Sequence, residues 1–334
     1  MLFTKVPRYH IYISSLITLA ICAGVYFFFV KKNNTTQVAA TTTGQTCDVN
    51  VARIKGTKFT KPLLYAEPSS EAEYLLPLKQ NLQDIISGFK DNGTISSASV
   101  YIRSFKDAQW LSINNDEKFS PGSLMKVPEL IAYYKMEEKN PGFLNKPVKY
   151  DHQLVPAAHR YVNFESKHIV VGQTYTIKDL LYYMIVYSDN DATMLLNSMI
   201  DKDIFTQVFT DAGLPVPDYT SNDYPITARE FSVFMKELYN SSYLSSKASE
   251  DCLTLMNQCK FKEGLIAGLP KDVLVVNKFG ESGPSNFPDL GESAVVYIND
   301  KAYLITVFVR GKDIKKMPVV LSHISTAAYK YMSR

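Results

Sequence analysis

The chain has 334 residues, and its 36 basic and 33 acidic side chains nearly cancel. A net charge of +3 over that length leaves no basic footprint for nucleic acid, and none is expected as a partner. Four cysteines and five histidines without zinc-ligand spacing predict no metal site, and no cofactor is implied.

The first segment with a clear physical reading is Ile11 to Val30, twenty residues without a charge between Lys5, Arg8 and His10 on one side and Lys31 and Lys32 on the other. Twenty helical residues span roughly 30 Å, the thickness of a hydrocarbon core. Residues 1–32 are therefore expected to be a membrane anchor. A cleaved signal would show a shorter apolar centre. A lipoprotein site at Ala20-Ile21-Cys22-Ala23 would want a small residue in place of Ile21. Residues 33–65, whose first part is rich in Thr, Asn and Ala, read as a flexible linker. The expected placement is a single-pass protein of the cell membrane, with its N-terminus cytoplasmic and residues 66–334 outside.

In the remaining chain, Glu73 to Lys90 carries Leu75, Leu78, Leu82, Ile85, Ile86 and Phe89 at helical spacing. Ser97 to Arg103 and Gln109 to Ile113 predict two strands. After Pro121-Gly122 a helix is expected from Ser123 to about Glu138, in which Pro128 costs a hydrogen bond and kinks the helix unless the helix proper starts later. Five helices follow, over 176–186, 192–200, 204–212, 228–239 and 246–258. Cys252 and Cys259, seven apart on or near the last, would have Cα atoms about 10 Å apart, too far for a disulfide. Strands return over 273–279, 293–298 and 303–309, and a last helix runs over 317–331. This order predicts an α+β fold, with a five-stranded antiparallel sheet from both chain ends and an all-helical lobe inserted between them.

Chemistry is suggested by Ser123-Leu124-Met125-Lys126, where a serine and a lysine share one helix face about a turn apart. A partly desolvated lysine there can take the serine proton and make a nucleophile. The spacing is weak by itself, because Ser87-Gly88-Phe89-Lys90 repeats it. Its company is more specific. Ser188-Asp189-Asn190 and then Lys278-Phe279-Gly280 follow in the order of the penicillin-interacting serine hydrolases.

Longer stretches carry the same likeness. Phe119 to Lys126 resembles the nucleophile segment of class A β-lactamases. Gln173 to Leu181, leading into Tyr187-Ser188-Asp189-Asn190-Asp191-Ala192-Thr193, resembles that family's helix and S-D-N loop. Thr227-Ala228-Arg229-Glu230 and Ala267-Gly268-Leu269-Pro270 resemble two later segments, and the likeness covers roughly residues 70 to 334. It implies that Ser123 attacks a carbonyl and is acylated, with Lys126 as base or electrostatic aid. Ser188 would relay the proton to the leaving nitrogen. The backbone N–H groups of Ser123 and Glu281 would form an oxyanion hole. Asn190, Lys278 and Gly280 would contact Lys126 or the substrate. The implied substrate is a small β-lactam or a peptidoglycan peptide.

Two positions depart from the family. Phe279 stands where its K-T-G strand has threonine. Between Asn190 and Arg229 there is no glutamate to activate a deacylating water; the acids are Asp191, Asp201, Asp203, Asp211, Asp218 and Asp223. Fast β-lactam hydrolysis is thus not expected. A D-Ala-D-Ala-type peptidase and a non-catalytic cell-wall or protein-binding relative remain as alternatives.

Overall fold

The computed structural model describes residues 48–55, 58–155, 162, 164–218, 224–283, 287–299 and 301–334. One expectation is corrected at once. No helix among the described residues is long and apolar enough to cross a membrane. The segment read as an anchor, 1–32, lies outside those residues. The fold is accordingly stated without a transmembrane element, and membrane anchorage, a membrane partner and single-pass placement are not carried further.

The α+β reading holds for the rest. After a hairpin of β1 (Val49–Arg53) and β2 (Leu63–Pro68) come α1 (Leu76–Asp91), β3 (Ser97–Ser104) and β4 (Trp110–Ile113). The helical insertion comprises α2 (Lys126–Lys139), the short pair β5 (Pro147–Lys149) and β6 (Thr174–Thr176), and α3 (Ile177–Val186). It continues with α4 (Asn190–Asn197), α5 (Lys202–Asp211), α6 (Ala228–Asn240) and α7 (Ser246–Asn257). Strands β7 (Val275–Ser282), β8 (Asp289–Ile298) and β9 (Lys301–Arg310) then lead to α8 (Met317–Met332). The main sheet has the order β4-β3-β9-β8-β7, antiparallel throughout, so β7 is an edge strand. The hairpin β1–β2 falls largely within residues that composition reads as linker.

Alternation along the strands divides the core. In β9, Leu304 and Phe308 face the helical lobe, joining Val127, Leu130, Leu180, Phe231 and Phe234. Ile305, Val307 and Val309 face the other way, with Leu78, Leu82, Leu321 and Ile324 of α1 and α8. Local chemistry sets the helix starts. Thr176 with Asp179, and Thr227 with Glu230, form capping boxes. Pro128 is harmless because residues 122–125 form a 3-10 turn and the α-helix starts only at Lys126. The proline thus lies in the first turn, where a missing N–H costs nothing.

One buried acid makes the fold sensitive to pH. Glu237 of α6 is 1% exposed, and neither carboxyl oxygen has a hydrogen-bond partner. Burial pushes its carboxyl up to about 8. A folded-state value above the unfolded one means that the stabilising state is the protonated one. That contribution is complete below the ordinary carboxylate range and is lost as pH rises through about 8. Urea unfolding should therefore show wild-type stability declining from pH 5 to 9. Glu237→Gln should flatten part of that decline, by on the order of a few kcal/mol at pH 9. Parallel pH profiles for the two proteins would refute this.

Candidate active site

The residues of the S-x-x-K, S-D-N and K-x-G segments meet where α2, the α3–α4 junction and edge strand β7 converge. Lys126, 4% exposed at the first turn of α2, donates to the Ser188 carbonyl at 2.9 Å. It also donates to Ser188 Oγ at 3.2 Å and to Asn190 Oδ1 at 2.8 Å. Lys278 of β7, fully buried, donates to the same Ser188 Oγ at 3.1 Å and to the Phe279 carbonyl at 2.9 Å. One hydroxyl thus sits between two ammonium groups from different elements. Hydrogen bonds of this kind are what make a buried charge tolerable.

Ser188 is held in an unusual backbone state. Its φ is +53°, in the left-handed region that costs a non-glycine residue of order 1–3 kcal/mol. The turn is fixed from both sides. Asp189 N donates to the Tyr183 carbonyl at 3.1 Å. The fully buried Asp189 carboxylate caps α4 by accepting from Asp191 N at 3.0 Å. Its other oxygen accepts from Ile169 N at 2.8 Å. Asp191 in turn accepts from the N–H groups of Leu154 and Val155 at 2.8 and 3.1 Å. Asp189 and Asp191 therefore also clamp the long connection between β5 and β6.

Ser123 lies in the 3-10 turn before α2 and does not cap the helix. It is partly exposed beside the buried Lys126. Its segment is tied down at three points. Phe119 and Ile226 exchange backbone hydrogen bonds at 3.0 Å each. Ser120 N donates to Asp289 Oδ2 at 2.8 Å, and Asp289 is itself paired with Arg310 at 2.6 Å. The third tie is direct backbone contact with β7. A Cβ on Gly280 would lie 2.1 Å from the Pro121 carbonyl oxygen and 2.9 Å from Ser123 N. Across the contact, a Cβ on Gly122, whose φ is +51°, would lie 2.2 Å from the Glu281 carbonyl oxygen. Only glycines allow this approach, and it sets the backbone of Ser123 beside that of Glu281. The Glu281 side chain points elsewhere and accepts from Val162 N at 3.0 Å.

The site thus gathers Ser123, Lys126, Ser188, Asn190, Lys278, Gly280 and Glu281 in one place. By contrast, the repeat at Ser87 and Lys90 is exposed on α1. Phe279 does not stand in for the family threonine. Its ring is 2% exposed, stacks on Phe261 at 4.3 Å and meets the edge of Phe164 at 4.9 Å. It lies 4.4 Å beneath the Lys278 ammonium. Of the acids in the segment that lacks the glutamate, Asp218 is exposed and Asp223 lies outside the described residues. A buried acid that sequence reading passed over is Glu129, 8% exposed and one turn beyond Lys126. An acid three residues after the lysine in an otherwise apolar stretch was its visible signal. Among the described residues no group of His, Cys, Asp and Glu could hold a metal.

Comparisons with known proteins agree with this fold. The profile of the β-lactamase enzyme family matches residues 77–332. A mutant of PBP-A, solved as an acyl-enzyme complex with penicillin G, has 19% identity and a TM-score of 0.65, over 77% of this chain and 97% of that one. A β-lactamase from Chitinophaga pinensis has 17% identity and a TM-score of 0.66, over 77% of this chain and 99% of that one. One from Xanthomonas campestris has 15% identity and a TM-score of 0.64, over 76% and 98%. No curated protein sequence matches significantly.

The glycine contact yields a stability test. Gly280→Ala should lower the unfolding free energy by about 1–3 kcal/mol, as overpacking does. Gly88→Ala, on α1 with nothing within 4 Å of the added methyl, should raise it by about 0.5–1 kcal/mol. Chemical denaturation of both variants measures this, and equal effects would contradict the close approach. Family profile and fold concur: the chain belongs to the β-lactamase enzyme family and has the fold of its serine hydrolases.

Proposed function

We propose that the protein is a serine acyl-transfer enzyme that forms an acyl-enzyme on Ser123 with a β-lactam or a cell-wall peptide amide. The observation that supports this most is the Ser188 hydroxyl bridged by Lys126 and Lys278 at 3.2 and 3.1 Å. A purely structural serine has no need of two buried ammonium groups. In this reading Lys126 assists removal of the Ser123 proton as Oγ bonds to the carbonyl carbon. The Ser123 and Glu281 N–H groups receive the developing oxyanion. Ser188, poised between the lysines, passes a proton to the leaving nitrogen. Asn190 holds Lys126, and Lys278 draws in a substrate carboxylate.

Deacylation is slow in this proposal, because the chain offers no loop glutamate between Asn190 and Arg229 to activate water. That favours a penicillin-binding or peptidase-like enzyme over an efficient β-lactamase. A mutant of PBP-A, a protein that shares the fold, was solved as an acyl-enzyme complex with penicillin G. Phe279 carries no hydroxyl where the family's K-T-G strand has threonine, so in this reading recognition of a penicillin carboxylate rests more heavily on Lys278.

Intact-mass spectrometry of the full chain with penicillin G tests the reading. An adduct of one penicillin is expected, absent in Ser123→Ala and formed on the order of 10²-fold or more slowly in Lys278→Ala and Ser188→Ala. It should persist for many minutes. Rapid loss with release of product would show an efficient β-lactamase instead. Failure of penicillin and of a D-Ala-D-Ala peptide to react would leave the binding-protein reading in its place.

A further inference from the structure

The acid beside the lysine was not part of the chemistry above. Ser123, Lys126 and Glu129 follow at intervals of three, so the 3-10 turn and the first turn of α2 stack them along one side. Glu129 is 8% exposed, and its Oε2 has no hydrogen-bond partner. The charged group that acts on it is Lys126, and Asn197 of α4 stands against its carboxyl. The same helix α4 begins with Asn190, the residue that accepts from Lys126 at 2.8 Å. Two rungs therefore link α2 to α4, Lys126 to Asn190 and Glu129 to Asn197.

A carboxyl in this place is costly unless it has work to do. Uncompensated burial of an acid loses several kcal/mol, and an apolar residue would fill the space without that loss. We propose that Glu129 is the proton partner of Lys126: a positioning residue that sets the charge of the amine on which activation of Ser123 depends. When ionised, Glu129 holds Lys126 as the ammonium. When it carries a proton, that attraction is gone and the amine is released to accept the proton of Ser123. The pair exchanges one proton: an N–H bond of the ammonium is lost as an O–H bond of the carboxyl forms, directly or through solvent.

The other charged groups around the pair lie on the elements packed near it. On α2 there is Tyr133, whose hydroxyl Glu129 disfavours ionising. From β7 there is Lys278, reached through Ser188. The buried face of α3 is apolar. Asp211, the buried acid of α5, answers to Tyr243, and Cys252 of α7 bears on Tyr134. From α4 the facing group is the neutral Asn197. Burial raises the Glu129 carboxyl to about 7, against the pull of Lys126, so it exchanges its proton in the range where such an enzyme works.

The inference rests on the acyl-enzyme reading for its purpose, but its first test does not need acylation. In protein carrying carboxyl-labelled glutamate, the resonance missing from Glu129→Gln belongs to Glu129. It should titrate near pH 7. It should move up by about one pH unit or more in Lys126→Met, where the cation is gone, and return in Lys126→Arg, where it is restored. Titration in the ordinary carboxylate range, or no response to Lys126→Met, overturns the proposal. The second test is the pH profile of acylation by penicillin G. Glu129→Gln should shift the acid limb to lower pH, about tenfold in rate at a fixed acid pH relative to its plateau. A uniform loss at every pH would assign Glu129 a packing role only. Absence of any acylation would remove the acyl-enzyme reading while the titration still decides the pair.

Discussion

The site depends on two backbones touching. Gly122 and Gly280 have no side chains, so the turn that carries Ser123 presses directly against edge strand β7. Everything the site could do with a carbonyl oxygen follows from that contact, because it brings the main chain of Ser123 beside that of Glu281. The sheet supplies the rigidity: β7 is paired along its length with β8, from Val275 to Ser282. Glycine at these places is a packing requirement. At Gly122 it is also a conformational one, since φ there is +51°.

The second constraint is electrostatic. Two lysines buried near one serine would be costly in an apolar core. Here they are met by the Ser188 carbonyl and hydroxyl, the Asn190 amide oxygen, the Phe279 carbonyl and the face of the Phe279 ring. The strained turn at Ser188 fits the same pattern, since a residue is kept at φ +53° only where its surroundings over-determine it.

Much of this was legible in the sequence, because the decisive signals are local. Apolar periodicity placed the helices and the five strands to within a few residues. The three motifs sat at the helix starts and the strand that bring them together. What escaped depends on contacts between distant residues. Phe279 looked like a side chain replacing a hydroxyl in the cleft. Strand alternation and the distant Phe261 and Phe164 instead turn its ring into the lower core. The hairpin at 49–68 was hidden because its strands are short and partly exposed, and Glu67 is fixed by residues far along the chain, Arg229 and Lys236. For Pro128 the sequence left a kink or a later helix start open, and the 3-10 turn over 122–125 supplies the later start. The supposed anchor shows the opposite failing: a strong local pattern with no described helix to match it.

The most direct measurement is a crystal structure of the protein after brief exposure to penicillin G. The expected result is continuous density from Ser123 Oγ to an acyl carbonyl, with the carbonyl oxygen between the N–H groups of Ser123 and Glu281. Ser188 should still be held by Lys126 and Lys278. An unmodified Ser123 with ligand bound elsewhere, or an acyl carbonyl turned away from β7, would contradict the assignment of this site.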